Sequence, residues 1–557
     1  MRSTILGSTI AAVLRTVFAA SPPGYIPSPR KTACEAIKNS LFAANTTVIL
    51  TEYHELGTNF TIVGQVPSCG GPTQNATVTA NLCRIVANIS TSASSAFQLE
   101  AWLPDQWNHR MLATGNGGEG GCVDYPTVQY GASFGFASFG TNAGHNGSVG
   151  FDFFLNQPEV LNDFGYRAMD VEAEVGKAIL RQYYGADASK NYYMGCSTGG
   201  RQAFSTAMLY PNDFDGMLAG SPGIDWLHIV SSKGILAHRI GWPYINSSRY
   251  VRAAQWAAIT EQQIRLFDPL DGVTDGIIDD PTMFRFDPEI LACGAGILNA
   301  SVCLNPDQVN AVRSAYEPIA NTAGQIVYPP FELGSNTGVF SANINATSGQ
   351  PQLGYTILQD FWRGAIYNDS SWTPLKFNET DMDYAIKINP GKVNTGETDL
   401  SAYKARGGKV IAYHGRNDET VTSALSARYF TGVQQSLNAS IEDMHDFYRL
   451  FYIPGMHHCS TGPGAWDIGQ VYPLDTRRND TEHNVLLSLV EWVENERLPD
   501  FMIGTKYAGD KIGTNGIVQA ERRHCVYPAV SRWNGRDNTT LADSWDCLTP
   551  DQWQVDY

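Results

Sequence analysis

The stretch "YYMGCSTGGRQAF", residues 192–204, sets one serine between glycines. Apolar residues precede it and a helix-forming run follows. G-x-S-x-G in that setting is the pattern of a strand that turns sharply into a helix, with the serine Oγ held clear of the backbone at the turn. The pattern recurs as "GASFG" at 131–135. With 53 glycines in 557 residues a chance match is expected, so context decides. Ser197 has a strand before it and a helix after it. Ser133 lies in "QYGASFGFASFG", which reads as loop and strand, with bulky Phe134 where an elbow needs a tight turn. Ser197 is the candidate nucleophile. The plain alternative is a structural turn without chemistry.

Working outward, "AFQLEAWL" (96–103) and "FGFASFG" (134–140) read as strands, separated by a glycine-rich turn, "TGNGGEGGC" (114–122). "DFGYRAMDVEAEVGKAILRQYYG" (163–185) has apolar residues at helical spacing. "RQAFSTAMLYP" reads as a helix stopped by Pro211, and "FDGMLAGSP" (214–222) as a further strand. From about 224 to 400 the alternation stops, and Trp, Asn, Pro and short helical stretches dominate. It resumes at "GGKVIAYHGRND" (407–418), continues through the strand "DFYRLFYIPGM" (446–456), and reaches the helix "EHNVLLSLVEWVEN" (482–495). Alternating strands and helices predict an α/β chain with a mostly parallel sheet covered on both faces. The middle segment is then an insertion, placed as a lid over the strand ends where sites in such sheets lie.

A serine nucleophile needs a base, and the base needs an orienting acid. In such folds the chain order is Ser, acid, His. "AYHGRNDETV" supplies Asp418 after a strand, with Glu419 as the neighbouring alternative. "IPGMHHC" supplies His457 and His458 after the next strand. Two cysteines then choose between them. Cys196 adjoins Ser197, and Cys459 adjoins His458. If the two side chains are within hydrogen-bond reach, their chain neighbours come close enough for a disulfide, which needs Cα atoms about 4.4–6.8 Å apart. A Cys196–Cys459 bond would close a loop of 263 residues. Chain entropy alone then gives stabilisation on the order of 5 kcal/mol. It would also restrain the Ser–His distance, and it favours His458 over His457 and Ser197 over Ser133. The oxyanion donors expected are the backbone N–H of Thr198 and one from "GNGGEGG" (115–121), at Gly117 or Gly118. That loop lacks the Gly-Lys-Ser/Thr ending of a phosphate loop.

Composition narrows the classes. Hydrophobic residues make up 43% and charged residues 17%, which suits a folded chain rather than a disordered one. The net charge of −17 offers nothing to neutralise phosphates, so nucleic acid is not an expected partner. Residues 1–20, "MRSTILGSTIAAVLRTVFAA", read as a secretory signal peptide, although Arg15 interrupts the apolar run. No later stretch has the ~18 uninterrupted apolar residues of a membrane helix, so no membrane partner is expected. N-x-S/T sequons at Asn45, Asn59, Asn75, Asn88, Asn146, Asn246, Asn299, Asn345, Asn368, Asn378, Asn438, Asn479 and Asn538 suit a secreted, extracellular glycoprotein bearing N-linked glycans. The ten cysteines are even in number and contain no C-x-x-C pair, which favours disulfides over zinc.

"DPLDGVTDGIIDDP" (268–281) gathers carboxylates around two glycines. Asp268, Asp271 and Asp275, with the carbonyls of Val273 and Ile277, suit Ca²⁺ in a structural role, since hard oxygen donors on a tight loop are what that ion takes. The spacing is not that of an EF-hand. The alternative is an acidic turn without an ion.

Taken together, "GCSTGGRQ", "YHGRND", "GMHHC" and the aspartate loop resemble the fungal tannase/feruloyl esterase family, in particular its feruloyl esterase B-like members, over nearly the whole chain from Cys34 to Cys547. The resemblance implies a secreted α/β-hydrolase with a large inserted lid domain that carries a structural calcium ion. The divisions expected are a catalytic domain over 21–223 and 402–557, with the lid over 224–401. It implies a triad of Ser197, Asp418 and His458, the Cys196–Cys459 bond, and calcium on Asp268, Asp271, Val273, Asp275 and Ile277. The remaining bridges it implies are Cys34–Cys83, Cys69–Cys122, Cys293–Cys303 and Cys525–Cys547. The implied substrates are phenolic esters: feruloyl, p-coumaroyl or caffeoyl esters of plant polysaccharides or small alcohols, with galloyl esters of the tannase type as the alternative. A non-catalytic binding scaffold and a peptidase are the other classes such a chain could belong to. In one place the chain departs from the family pattern. A further lid disulfide is expected there, and this chain has Phe267 and Phe284 instead.

Overall fold

The computed structural model describes residues 29–39, 42–71, 74–295, 301–335, 343–344, 351–513, 515–536, 538–550 and 552. The signal segment 1–20 and the sequons Asn299 and Asn345 lie outside them. Nine strands form one sheet: β1 Thr46–His54, β2 Leu82–Ser90, β3 Ala96–Pro104, β4 Arg110–Thr114, β5 Ala137–Thr141, β6 Lys190–Cys196, β7 Gly216–Gly220, β8 Lys409–Gly415 and β9 Tyr448–Ile453. Their order is β1-β2-β3-β5-β4-β6-β7-β8-β9. Pairing is parallel from β5 through β9 and antiparallel from β1 through β5. The expected parallel sheet thus carries an antiparallel wing. Strand composition does not encode pairing direction, so the wing was not legible in it.

The helices that matter here are α1 Tyr125–Ser133, α2 Ala168–Tyr184, α3 Thr198–Leu209, α4 Trp226–Arg239, α5 Ala253–Phe267, α6 Ala424–Leu437 and α7 Val485–Asn495. Successive residues of the central strands serve opposite faces, as the two-residue period of a strand requires. Tyr193, Met217 and Ala412 pack with Ala173 of α2, Phe204 of α3 and Phe430 of α6. Tyr192, Leu218 and Ile411 pack with Leu486 and Leu489 of α7 and Tyr130 of α1. Both faces of the sheet are covered.

Residues beyond β7 build a separate core, in which Trp226, Trp256, Leu358, Trp362 and Phe377 are all buried. The inserted segment leaves and returns through one neck: Thr395 N–H donates to Ile224 O, and Asn394 Oδ1 accepts from Leu227 N–H. Arg201 of α3 locks that neck to the body. Its fully buried guanidinium donates to Gly165 O at 2.7 Å, Phe164 O at 2.9 Å and Val393 O at 3.2 Å.

One local reading is corrected. The segment around Ser133 is not loop and strand but the C-terminal end of α1, and the strand starts only at Ala137. Asp124 caps the helix by accepting from Thr127 N–H, and Pro126 sits in its first turn. Ser133 Oγ donates to Tyr130 O at 2.6 Å, a local helix bond that leaves no elbow.

Candidate active site

Strand β6 ends at Cys196 and α3 begins at Thr198, so Ser197 is the whole turn between them. Its backbone sits at φ 63°, ψ −120°, a conformation that side-chain-bearing residues rarely hold without support. Support comes from both sides: Ser197 N–H donates to Gly220 O at 2.9 Å, and Ser197 O accepts from Gly223 N–H at 3.0 Å. The glycines of the motif permit close packing. A Cβ on Gly195 would lie 2.8 Å from Gly199 Cα, and one on Gly200 would lie 2.5 Å from Gly220 O. The elbow therefore needs hydrogen atoms where other residues carry side chains.

Asp418 follows β8, and its carboxylate is buried. Oδ2 meets His458 Nδ1 at 2.7 Å and His414 Nε2 at 3.1 Å, while Oδ1 accepts from the N–H groups of Thr420 and Val421 at 2.8 Å each. Burial alone would raise its pKa. The His458 and His414 imidazoles and the hydrogen bonds outweigh that and hold the carboxyl far below the usual carboxylate range. The His458 imidazole is pulled down by burial, but the Asp418 carboxylate, helped by Glu419, leaves it above its ordinary value. Glu419 is thus a contributor to the field, while its neighbour Asp418 holds the ring; Glu419 Oε2 lies 3.4 Å from His458 N. His457 takes no part in the pair: its N–H donates to Thr461 O, inside its own loop.

Cys196 and Cys459 are bonded, with S–S 2.04 Å and Cα atoms 6.0 Å apart. The bond ties the residue before Ser197 to the residue after His458. Both Ser197 and His458 line a cleft of about 860 Å³. Among the described residues no hydrogen bond joins Ser197 Oγ to the imidazole, and contacts of this kind are commonly loose before substrate binds. The other bridges formed are Cys34–Cys83, Cys69–Cys122, Cys293–Cys303 and Cys525–Cys547.

Thr198 N–H opens α3 and so has no intrahelical acceptor. Gly117 and Gly118 line the same cleft as Ser197. Thr198 Oγ1 donates to Gly118 O at 2.5 Å, which pins the glycine loop against the elbow. Gln202, one turn further along α3, accepts from Asn116 N–H at 3.0 Å and donates to Asn116 Oδ1 at 2.9 Å.

Three residues of the site were not singled out from the sequence. His414 is the second imidazole on Asp418, and it is oriented by Ser426 Oγ at 2.7 Å. The "YHGRND" motif contained it four residues before the acid. Tyr355, from the inserted segment, borders the cleft and also a narrow recess beside Ser197 walled by Trp226, Ile229 and Val421. Lys233 of α4 is buried behind the acid loop, where its ammonium donates to Thr420 O at 2.5 Å. Desolvation pushes it down to about 7 despite the Asp418 and Glu419 charges.

Outside the cleft lining, the loop 268–281 folds on itself. Asp268 accepts from Asp275 N–H and Gly276 N–H at 3.0 Å each, Asp271 from Val273 N–H, and Asp275 from Ile277 N–H. Asp271 is pushed up to about 8, by burial first and then by Asp279. Asp275 is pushed up to about 6 by burial, against the pull of Arg522. Asp268 is buried, Asp271 half-buried and Asp275 exposed, and mutually repelling oxygen donors on one loop fit a hard dication. Among the described residues no three acidic, histidine or cysteine side chains are grouped so as to hold a metal ion. Phe267 and Phe284 stack with ring centroids 5.0 Å apart and planes 15° from parallel.

Comparisons with known proteins bear on the fold and the family. The family described as "Tannase and feruloyl esterase" matches residues 83–548. A probable feruloyl esterase B-2 of Aspergillus terreus is 36% identical over 515 residues, covering 92% of this chain and 95% of its own. The crystal structure of feruloyl esterase B from Aspergillus oryzae superposes with a TM-score of 0.85 at 34% identity, covering 93% of this chain and all of that one. A tannin acyl hydrolase from Aspergillus niger shares the fold at a TM-score of 0.72 and 21% identity, over 94% of this chain and 96% of its own. The chain belongs to the tannase and feruloyl esterase family.

Proposed function

We propose that this chain is a secreted serine esterase that cleaves hydroxycinnamoyl esters, with Ser197 as nucleophile, His458 as general base and Asp418 as its orienting acid. The observation that carries this is the Asp418–His458 pair at 2.7 Å, opening with the strained Ser197 turn onto one cleft. Ser197 Oγ attacks the ester carbonyl carbon and its proton passes to His458 Nε2. Asp418, bonded to Nδ1, fixes the tautomer and stabilises the imidazolium. The oxyanion is met by Thr198 N–H and by a glycine N–H of the 117–118 turn. His458 then gives the proton to the leaving alcohol, which departs and leaves the acyl group on Ser197. Water, activated by the same imidazole, releases the acid and restores the serine.

The substrate reading rests on the curated relatives, which carry the name feruloyl esterase B at about a third identity over nine-tenths of the chain. The cleft of about 860 Å³ over Ser197, with Tyr355, Tyr413, Trp466 and Ile512 in its wall, has room for a planar phenylpropenoyl group. The alcohol side would be a sugar hydroxyl of a plant polysaccharide or a small alcohol.

Calcium at 268–281 would be held by Asp268, Asp271 and Asp275 with the carbonyls of Val273 and Ile277. It would neutralise these carboxylates and stiffen the inserted segment, and it takes no part in the ester chemistry. Extracellular location is supported by five disulfides, which persist in oxidising compartments. It is also supported by the sequons, since ten of the eleven among the described residues are exposed and only Asn88 is half-buried. Among the described residues no helix is long and apolar enough to cross a membrane.

The test is hydrolysis of methyl ferulate, methyl caffeate and methyl gallate side by side, with Ser197→Ala as the blank. Cleavage of the two cinnamates in preference to the gallate is expected. Preference for the gallate would overturn the substrate assignment and leave the mechanism. Activity surviving in Ser197→Ala would overturn the mechanism.

A further inference from the structure

Behind the acid loop lies a second cavity of about 500 Å³, which shares no lining residue with the cleft over Ser197. Its walls come from several separate parts of the chain, among them the end of the 268–281 loop, Glu332, Arg416 after β8, the start of α6, Tyr452 and Pro454 at the end of β9, and the C-terminal region around Tyr527 to Arg532. Nothing in the proposed ester chemistry uses it.

Its chemistry is specific. Arg416 is 6% exposed and lies 3.5 Å over the Tyr452 ring. Its Nη1 donates to Glu332 at 2.7 Å, and its Nη2 reaches Asp280 at 3.5 Å. Arg416 Nε–H is buried and has no protein acceptor. Ser531 is 7% exposed and its Oγ is likewise buried without a partner. Orphaned buried polar atoms are costly, on the order of 1–3 kcal/mol each, unless water or a ligand satisfies them. Both residues line the cavity. Tyr527, Pro528 and Val530 add apolar surface to the wall.

The charges in the wall are already spent on one another. Arg416 is paired with Glu332 and Asp280, and Arg532 with Asp279. An anion would meet three carboxylates against two guanidinium groups, and a cation would meet two guanidinium groups. A neutral ligand that both donates and accepts hydrogen bonds, and that has an apolar face to lay on Tyr527 and Pro528, meets no such conflict. Such a ligand is a neutral sugar. We infer that this cavity is a second, non-catalytic binding site for a neutral mono- or disaccharide unit, contacted by Arg416 and Ser531 and by the Tyr527–Pro528 surface.

The site is also mechanically joined to the acid loop. Glu332, which holds Arg416, accepts a short bond from Ser423 Oγ just before α6, and Tyr452 Oη donates to Ser423 O at 2.9 Å. Arg416 lies two residues before Asp418. Occupation would therefore rigidify the turn that carries the acid, in addition to holding carbohydrate on the protein. The inference stands on the cavity alone and does not depend on the ester-cleaving assignment.

The experiment is a calorimetric titration of the full-length Ser197→Ala protein with xylose, xylobiose and arabinose, and with sodium ferulate as an anionic aromatic control. It is repeated on wild-type protein labelled at Ser197 with a small phosphonate, and on Ala529→Trp, which fills the cavity from its rim. A conservative second variant, Ser531→Ala, guards against misfolding, and cooperative thermal unfolding checks all of them. Saturable binding of a neutral sugar is expected, unaffected by the phosphonate, weakened at least tenfold by Ala529→Trp and severalfold by Ser531→Ala. The inference is overturned by the absence of binding in folded protein, by loss of binding on phosphonate labelling, by equal binding in Ala529→Trp, or by tighter binding of ferulate than of the sugars.

Discussion

Two loops in this molecule hold chemically demanding groups, and they are held in different ways. At the elbow, a strained serine and an imidazole from a loop 261 positions later are fastened by the Cys196–Cys459 bond, with backbone hydrogen bonds on both sides of Ser197. At 268–281, carboxylates that repel one another sit beside the stacked rings of Phe267 and Phe284. A covalent bond fixes a distance whatever the local charge state. A ring stack contributes about 0.5–1.5 kcal/mol beyond its area and slides as its surroundings change. The first arrangement suits a geometry that must persist through turnover. The second leaves the acidic loop dependent on whatever neutralises it.

Removing the reacting groups should have the largest effect. Ser197→Ala and His458→Ala should each lower the rate of methyl ferulate hydrolysis by on the order of 10⁴-fold or more, with folding unchanged, as initial rates and thermal unfolding would show. Cutting the covalent fastening comes next. The Cys196→Ser/Cys459→Ser protein should lose roughly 2–5 kcal/mol of stability in denaturant unfolding, together with most of its activity. Phe267→Ala, by comparison, should cost about 1 kcal/mol and leave kcat nearly intact. If the two variants proved equally active, the contrast between the loops would collapse.

Calcium removal probes the weaker brace. Chelator should lower the unfolding temperature of the wild-type protein, and installing a bond through Phe267→Cys/Phe284→Cys should shrink that drop. An identical unfolding temperature with and without chelator would contradict the proposed ion.

The pH dependence gives a smaller effect with a definite sign. His458 must be neutral to act as base, and its pKa is raised in the folded protein. The acid limb of kcat/KM should therefore lie above the ordinary imidazole value, near 6.5, with activity lost as pH falls through the folded pKa. Glu419 contributes to that rise, so Glu419→Gln should shift the limb downward by a fraction of a pH unit. A further expected effect is on stability alone. Glu172 is fully buried, neither of its carboxyl oxygens has a partner, and burial raises its pKa well above the usual carboxylate range. Such a group favours the folded state below its unfolded pKa and withdraws that support as pH rises toward the folded value. Glu172→Gln should remove this pH-dependent loss, with a gain of roughly 1–2 kcal/mol at neutral pH by urea unfolding.

Much of the site could be read from the chain because it is built from local patterns in a fixed order. The Gly195–Gly199 spacing, Asp418 after one strand and His458 after the next each leave a short signature. What escaped was made by distance or by ambiguous periodicity. Tyr355 reaches the cleft from the inserted segment and Lys233 backs the acid loop from it, and no spacing links either to Ser197. His414 was inside a quoted motif, but an interior histidine on a strand looks the same whether it packs or orients an acid. The Ser133 region misled because "YPTVQYGAS" carries β-formers and a glycine. Asp124 as cap and Pro126 in the first turn were the signals that favoured a helix.

The most direct test of the central claim is to treat native protein with a serine-reactive phosphonate and map the label by peptide mass, with disulfides left intact. A single label on the Ser197 peptide, that peptide joined through Cys196 to the one holding Cys459, and hydrolysis abolished in proportion to labelling are the expected result. A label on another residue, or full activity in labelled protein, would contradict it.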